Sequence, residues 1–323
     1  MSKYAEDEQM EISIKKTQKK KKKLIIVEDV EPIDIAAMIK KSRPTLSDAS
    51  IRTYIQNIKK VSPPFPLTGI AFLSNTENVF EKIDTIEKVT MKRNILSAVL
   101  VLLQSTDVVN EELIKTYKQK LIDITNSYKL ELAEHQKTEV QSENWTTMAV
   151  LTKITKSLLK QGINQNSLVA ALYTLQPPVR LDYFDMEIVN KKFKRDDNKN
   201  YLVVYNRDKK VFVFGEYKTK TTFGIVEIPV AKPLNNVINK FLKLNKDRKY
   251  LLEGATGVPL TRNALGKTIT RVFDPSGKKI TLNQIRHIVA SESVDIKAID
   301  EAKTLAGNML HSSGQQMEYA KLD

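Results

Sequence analysis

Five short segments in the second half of the chain carry side chains suited to phosphoryl transfer. They are Pro177-Pro178-Val179-Arg180-Leu181-Asp182-Tyr183, Tyr217-Lys218-Thr219-Lys220-Thr221, Leu282-Asn283-Gln284-Ile285-Arg286-His287, Met309-Leu310-His311-Ser312-Ser313 and Met317-Glu318-Tyr319. Cleaving a phosphodiester builds negative charge on the non-bridging oxygens as phosphorus becomes five-coordinate. Guanidinium forks meet that charge bidentately without a metal, which suits Arg180 and Arg286, and His311 would add a further donor. Such a clamp is stronger in the transition state than in the ground state. A phenol, with an ordinary pKa of about 10, is mostly protonated near neutrality, so Tyr319 as a nucleophile needs a cationic site and a proton acceptor. Taken singly, each residue has an ordinary explanation. An arginine after Pro-Pro is usually a surface or salt-bridged residue, a lysine in a turn is usually solvated, and a tyrosine near a C-terminus usually packs its ring. Only the ordered set of all five segments points to phosphoryl transfer.

In this order and spacing the segments resemble the signature of the tyrosine recombinase (phage integrase) family: an Arg, a hairpin Lys, a His-x-x-Arg, a His or Trp, and a Tyr. The Pro-Pro-x-Arg and Tyr-Lys-Thr segments look most like divergent members from large eukaryotic DNA viruses and their mobile elements. The resemblance covers essentially the whole chain, because the helix expected over Ser47 to Lys60 looks like the opening helix of the family's core-binding domain. It implies that Tyr319 forms a 3′-phosphotyrosine and releases a 5′-hydroxyl, with Arg180, Arg286 and His311 around the phosphate. It also implies that a hairpin lysine, Lys218 or Lys220, protonates the leaving oxygen, with the Tyr-Lys-Thr pattern favouring Lys218. Asp182 is expected to orient Arg180 by an ion pair.

Two features depart from the family. Asn283 stands where the His of His-x-x-Arg is usual, and an amide cannot accept the tyrosine proton, which puts general-base catalysis in doubt. His287, in a common supporting position of the family, is either structural or a partial stand-in. Only Ala320 to Asp323 follow Tyr319, where many relatives place a further helix that docks on a neighbouring protomer. The expected partners are double-stranded DNA and other copies of the chain in a homotetramer on two DNA sites, with no nucleotide cofactor and no obligatory metal. A type IB topoisomerase-like enzyme that reseals the original strand, and a DNA-binding protein of the same fold with impaired catalysis, stay open as alternatives.

The elements that must position these residues follow from periodicity. The expected fold class is α+β, mainly α with a small antiparallel β-sheet, as a helical core-binding domain plus a tyrosine recombinase catalytic domain. Residues 1–27 form a basic tail, with Lys15-Lys16 and Lys19 to Lys23, which cannot bury apolar area. It suits a nuclear address, a non-specific DNA-binding arm or a solvated tail. Residues 28–142 read as a helical DNA-binding domain. In it Ser47 is an N-cap, Ile51, Tyr54, Ile55 and Ile58 share one face, and Pro63, Pro64 and Pro66 break the pattern before a helix over Met91 to Gln104 and a third from Glu111 to about Leu132. Arg52, Lys59, Lys60, Lys92 and Arg93 are its expected DNA contacts. Lys137 to Glu143 is the expected hinge, and residues 143–323 the catalytic domain. Within the latter the period changes after Pro177-Pro178 from 3.6 toward 2, predicting strands over Tyr201 to Tyr205, Val211 to Phe214 and Ile225 to Val230 before helices resume after Pro233, with Leu234, Val237, Ile238 and Phe241 as one stripe.

Composition sets the outer limits. The formal charge is +14, from 52 basic against 38 acidic residues, a surplus that attracts polyanions. The absence of cysteine excludes disulfides, thiolate catalysis and Cys-based zinc sites. With only His135, His287 and His311, a His-rich metal centre is not expected. No run of about 18 apolar residues suggests a membrane span, no signal peptide is read at the N-terminus, and an intracellular protein is expected, with the host nucleus or a viral replication compartment as settings.

Overall fold

The structure is a computed structural model that describes residues 31–106, 110–310 and 312. The basic tail, His311 and Tyr319 lie outside the described residues. The chain forms two compact units divided between Gln136 and Lys137, so the segment read as a hinge folds with the second unit.

The first unit is helical: α1 (Ile35–Ser42), α2 (Asp48–Ile58), a 3₁₀ turn (Ala71–Ser74), α3 (Thr76–Asp84), α4 (Val89–Leu103) and α5 (Glu111–Ala133). Ser47 caps α2 by accepting from the Ser50 amide at 3.2 Å, a contact worth about 1 kcal/mol. Ile51 and Ile58 are buried, and Tyr54 and Ile55 pack beside them. Every residue of α4 from Ala98 to Leu103 is buried, as are Ile95 and Leu96. A helix that is apolar all round must be enclosed, and α5, α2 and α1 pack against it.

The second unit contains α6 (Glu139–Glu143), α7 (Met148–Gln161), α8 (Gln165–Thr174), β1 (Glu187–Asn190), β2 (Asn200–Val204), β3 (Lys210–Phe214), α9 (Lys220–Phe223), β4 (Val226–Pro229), α10 (Lys232–Leu244), α11 (Arg262–Val272), a 3₁₀ turn (Asp274–Ser276), α12 (Leu282–Ser293) and α13 (Ile296–Asn308). Its centre is α8, buried continuously from Ser167 to Tyr173 and flanked by α7, α10 and α11. The expected stripe of α10 is present, with Leu234, Val237, Ile238 and Phe241 all in the core.

The sheet corrects the expectation of an all-antiparallel arrangement. It has four strands in the order β1-β2-β3-β4, and β1 runs parallel to β2, with Glu187 opposite Tyr201 and Asn190 opposite Val204. The β2–β3 and β3–β4 pairs are antiparallel. Strand β1 was not expected because Glu187-Ile188-Val189-Asn190 is short and half-buried, giving neither alternation nor an apolar run. Its outer edge is held from a distance, by the Ile188 amide on the Lys249 carbonyl and the Leu251 amide on the Met186 carbonyl, both at 2.8 Å. Alternation sorts the sheet's faces: Leu202, Phe212 and Phe214 join the main core, while Tyr201, Val203 and Val213 form a small cluster on the other side.

Lys210, the first residue of β3, is 2% exposed. Its ammonium donates to Asn239 Oδ1 at 2.6 Å, Asn235 Oδ1 at 2.8 Å and the Arg207 carbonyl at 2.9 Å, pinning the β2–β3 turn to α10. Burial pushes its pKa down. Among the described residues no helix is long and apolar enough to cross a membrane.

Candidate active site

The Arg180 turn begins where α8 must end. Proline cannot continue a helix, and after Gln176 the Pro177-Pro178 pair carries the chain out in extended form to Arg180. The buried Tyr173 hydroxyl donates to the Arg180 carbonyl at 3.3 Å. Two residues on, Asp182 is 3% exposed, and its carboxylate pairs with Arg262 Nη1 at 3.2 Å. The expected ion pair between Asp182 and Arg180 is therefore corrected: the partner is Arg262, whose guanidinium also stacks 4.6 Å from the centre of the Phe184 ring. Burial raises the pKa of Asp182, opposed by Arg262 first and then by Arg180 and Arg286. The same buried carboxylate thus senses three guanidinium groups.

Arg286 comes from α12, whose N-cap Thr281 accepts from the Gln284 amide at 3.3 Å. Leu282, Ile285 and Ile288 anchor this helix in the core, which leaves Arg286 half-buried, and Asn283 and His287 exposed. Arg180 and Arg286 line one cavity of about 270 Å³, together with Asp182, Tyr217 and Thr219. Their guanidinium groups have no hydrogen-bond or ion-pair partner among the described residues, although both are half-buried. Fully buried polar groups are ordinarily satisfied within the protein; these two half-buried guanidinium groups have donors left over for an acceptor that the described residues do not supply.

Arg180 also lines a larger cavity of about 930 Å³, shared with Asn283 and with Arg262, Lys267, Arg271 and Lys279. Five cations there face a single carboxylate, Asp274, and a concave surface of one sign focuses field on a polyanion. The stripe Arg262, Lys267 and Arg271 recurs along α11. It was missed in the sequence because Thr261-Arg262-Asn263-Ala264-Leu265-Gly266-Lys267 carries no family motif, although cations four or five residues apart on an amphipathic helix are a legible signal.

The lysine turn joins β3 to β4. Lys218 is exposed and without a partner among the described residues, while its neighbours Tyr217 and Thr219 line the cavity of the arginine pair. Lys220, the alternative acid, is engaged: its ammonium donates to the Asp197 carbonyl at 2.7 Å and to Asn198 Oδ1 at 2.9 Å. Gly215 enters the turn where only glycine fits, since a Cβ there would meet the Asp197 and Lys199 carbonyl oxygens at 2.6 Å each. His287 lines neither cavity.

Of the cations expected to contact DNA in the first unit, Arg52 and Lys60 are exposed, and Lys59 lies 4.8 Å over the Phe65 ring. Lys92 donates to the Asp84 carbonyl at 3.1 Å, and Arg93 donates to Thr125 Oγ1 at 3.1 Å and covers the Tyr128 ring. These two serve the packing of α3, α4 and α5. Among the described residues no group of three or more His, Asp or Glu side chains is placed to hold a metal. A scan of protein-family models, a search of curated proteins and a search of solved structures each return no match to this chain.

Proposed function

We propose that this chain breaks and rejoins DNA strands as a site-specific recombinase or integrase, with Tyr319 as the nucleophile. The observation that carries the reading is the pair Arg180 and Arg286, brought from separate elements to one cavity with their hydrogen bonds unspent. A phosphate diester supplies the bidentate acceptor oxygens that two guanidinium forks require. The five-cation groove beside them suits the flanking backbone phosphates, whose contacts supply affinity through counterion release. Tyr173 and Tyr183, the phenols packed beneath the Arg180 turn, are pushed well above their ordinary pKa by burial, and the Tyr217 hydroxyl donates to the Gly224 carbonyl at 2.8 Å. None of the three is poised as a nucleophile.

In the reaction, the Tyr319 oxygen attacks phosphorus as its phenolic proton passes to water, the bond to the 5′-oxygen breaks, and that oxygen leaves with a proton from Lys218. A partner strand's 5′-hydroxyl then gives its proton to Lys218 as it attacks the phosphotyrosine, and Tyr319 leaves with a proton from water. The covalent intermediate conserves the phosphodiester's energy, so the exchange needs no nucleotide cofactor. A homotetramer on two DNA sites follows from the family resemblance.

The test is a nicked suicide duplex that lets the cleaved end diffuse away. Wild type should accumulate a covalent protein–DNA adduct, and Tyr319→Phe should bind the duplex with no adduct. A wild type that binds DNA without forming an adduct leaves a binding module of this fold. Relaxation of supercoiled plasmid with no exchange between two sites turns the reading to a topoisomerase.

A further inference from the structure

The two halves of the site are joined by one buried side chain. Asn200, at the start of β2, is 2% exposed and its amide bonds to both, besides helping to hold the neighbouring Asp185 carboxylate down against burial. Its Nδ2 donates to the Asp182 carbonyl at 3.2 Å, two residues from Arg180. The same nitrogen donates to the Glu216 carbonyl at 2.9 Å, two residues from Lys218. Its Oδ1 accepts from the backbone amides of Gly215 at 3.1 Å and Glu216 at 3.0 Å. A strand residue with no other purpose would place an apolar side chain here, because a buried amide left even partly unpaired costs more than it returns. The far end of the lysine turn is tethered to the same stretch of backbone, through Lys220 on Asp197 and Asn198. Lys218 lies between the two anchors, exposed and with no partner for its ammonium among the described residues.

We infer that Asn200 is a positioning residue for strand cleavage: it fixes the lysine turn against the Arg180 turn, so that the acid Lys218 and the guanidinium pair address the same phosphate, with Lys220 holding the turn's other end. This inference rests on the proposed DNA cleavage. Lys218 lies on a long flexible stem, and a mobile acid is effective only when its base is fixed within hydrogen-bond reach of the leaving atom. The arginine pair would still hold the phosphate if the turn were released. Loss of Asn200 therefore removes the acid's contribution in particular.

The test compares adduct formation on two suicide duplexes, one ordinary and one with sulfur replacing the leaving 5′-oxygen. The thiolate departs with the electron pair of the P–S bond and needs no proton, so the acid is dispensable on the second duplex. On the ordinary duplex, Asn200→Asp and Lys218→Ala should both form adduct about 10²-fold more slowly or worse, the scale of general acid catalysis. Lys220→Ala should lose less, about tenfold, because Asn200 still holds the near end. On the sulfur duplex all three should return to within a few-fold of wild type. Asn200→Asp keeps the shape and the accepting oxygen, and Lys220→Ala, at a half-exposed site, supplies the same comparison should Asn200→Asp fold poorly. Equal slowing of the folded Asn200→Asp variant on both duplexes, or wild-type cleavage of the ordinary duplex by Asn200→Asp or Lys218→Ala, overturns the inference. No adduct from wild type on either duplex instead removes the function on which it rests.

Discussion

The second unit holds two sets of cations that its fold treats in opposite ways. Lys210 is almost fully enclosed, and its ammonium donates to Asn235, Asn239 and the Arg207 carbonyl, with the Asp208 carboxylate acting on its charge from beyond ion-pair distance. Arg180 and Arg286 are only half-buried, yet they have no acceptor among the described residues. The first set consumes its hydrogen bonds internally and fixes a turn to a helix. The second leaves its hydrogen bonds unspent among the described residues. Asp182 makes the distinction sharper: the carboxylate that lines their cavity forms its ion pair with Arg262 and acts on Arg180 and Arg286 only through space. The number of basic residues says little about function here, and the destination of each donor says much more.

The comparison breaks most visibly if arginine loss acts through folding. Arg180→Ala and Arg286→Ala should each slow adduct formation about 10²- to 10³-fold, the usual cost of removing one preorganised donor, while the unfolding free energy changes by less than about 0.5 kcal/mol. Arg286→Lys should recover little, because an ammonium cannot present the planar fork. A large stability loss with unaltered cleavage by the folded fraction would class both residues with Lys210.

Lys210→Met is the reciprocal case. It should cost about 2–3 kcal/mol in denaturant unfolding, as buried amide and carbonyl acceptors lose a charged donor, while the folded fraction cleaves at the wild-type rate. Smaller effects are expected in the larger cavity. Lys267→Ala and Lys279→Ala should weaken DNA binding at low salt and each lower the slope of log affinity against log salt by about one, as phosphate contacts do. An unchanged slope would remove that groove from the DNA path.

Asp182 gives the subtlest expectation. Its folded-state pKa is raised from 3.8, by burial first. Between those values the folded state holds a proton that the unfolded chain has released, so stability falls as pH rises through that window and stays lower above it. Asp182→Asn lacks this dependence. The stability of wild type relative to that variant should therefore be greater near pH 4 than at pH 7, measured by urea midpoints, and an opposite trend would mean that the arginines hold Asp182 below its ordinary pKa.

Much of this was readable in the sequence because it depends on local rules. The cap at Ser47, the stripe on α10 and the proline stop before Arg180 each follow from a few neighbouring residues. Strand β1 was not readable, since its pairing with β2 and with Lys249 is set at a distance and its own four residues carry no pattern. The partner of Asp182 was misassigned for a similar reason: Arg180 is close in sequence, but Arg262 on α11 is the residue that reaches the carboxylate. Asn200 drew no reading from the sequence, because its role depends on two carbonyls from segments on either side of it in the chain. Tyr319 and His311 were singled out by the family resemblance and lie outside the described residues.

The central claim, that Arg180 and Arg286 meet the non-bridging oxygens of one scissile phosphate, is tested most directly by replacing one of those oxygens with a methyl group. On such a neutral methylphosphonate duplex there is less developing charge for a guanidinium to meet. The penalty for Arg180→Ala and for Arg286→Ala, large on the ordinary duplex, should shrink to a few-fold there. An undiminished penalty for both variants on the methylphosphonate duplex would contradict the account.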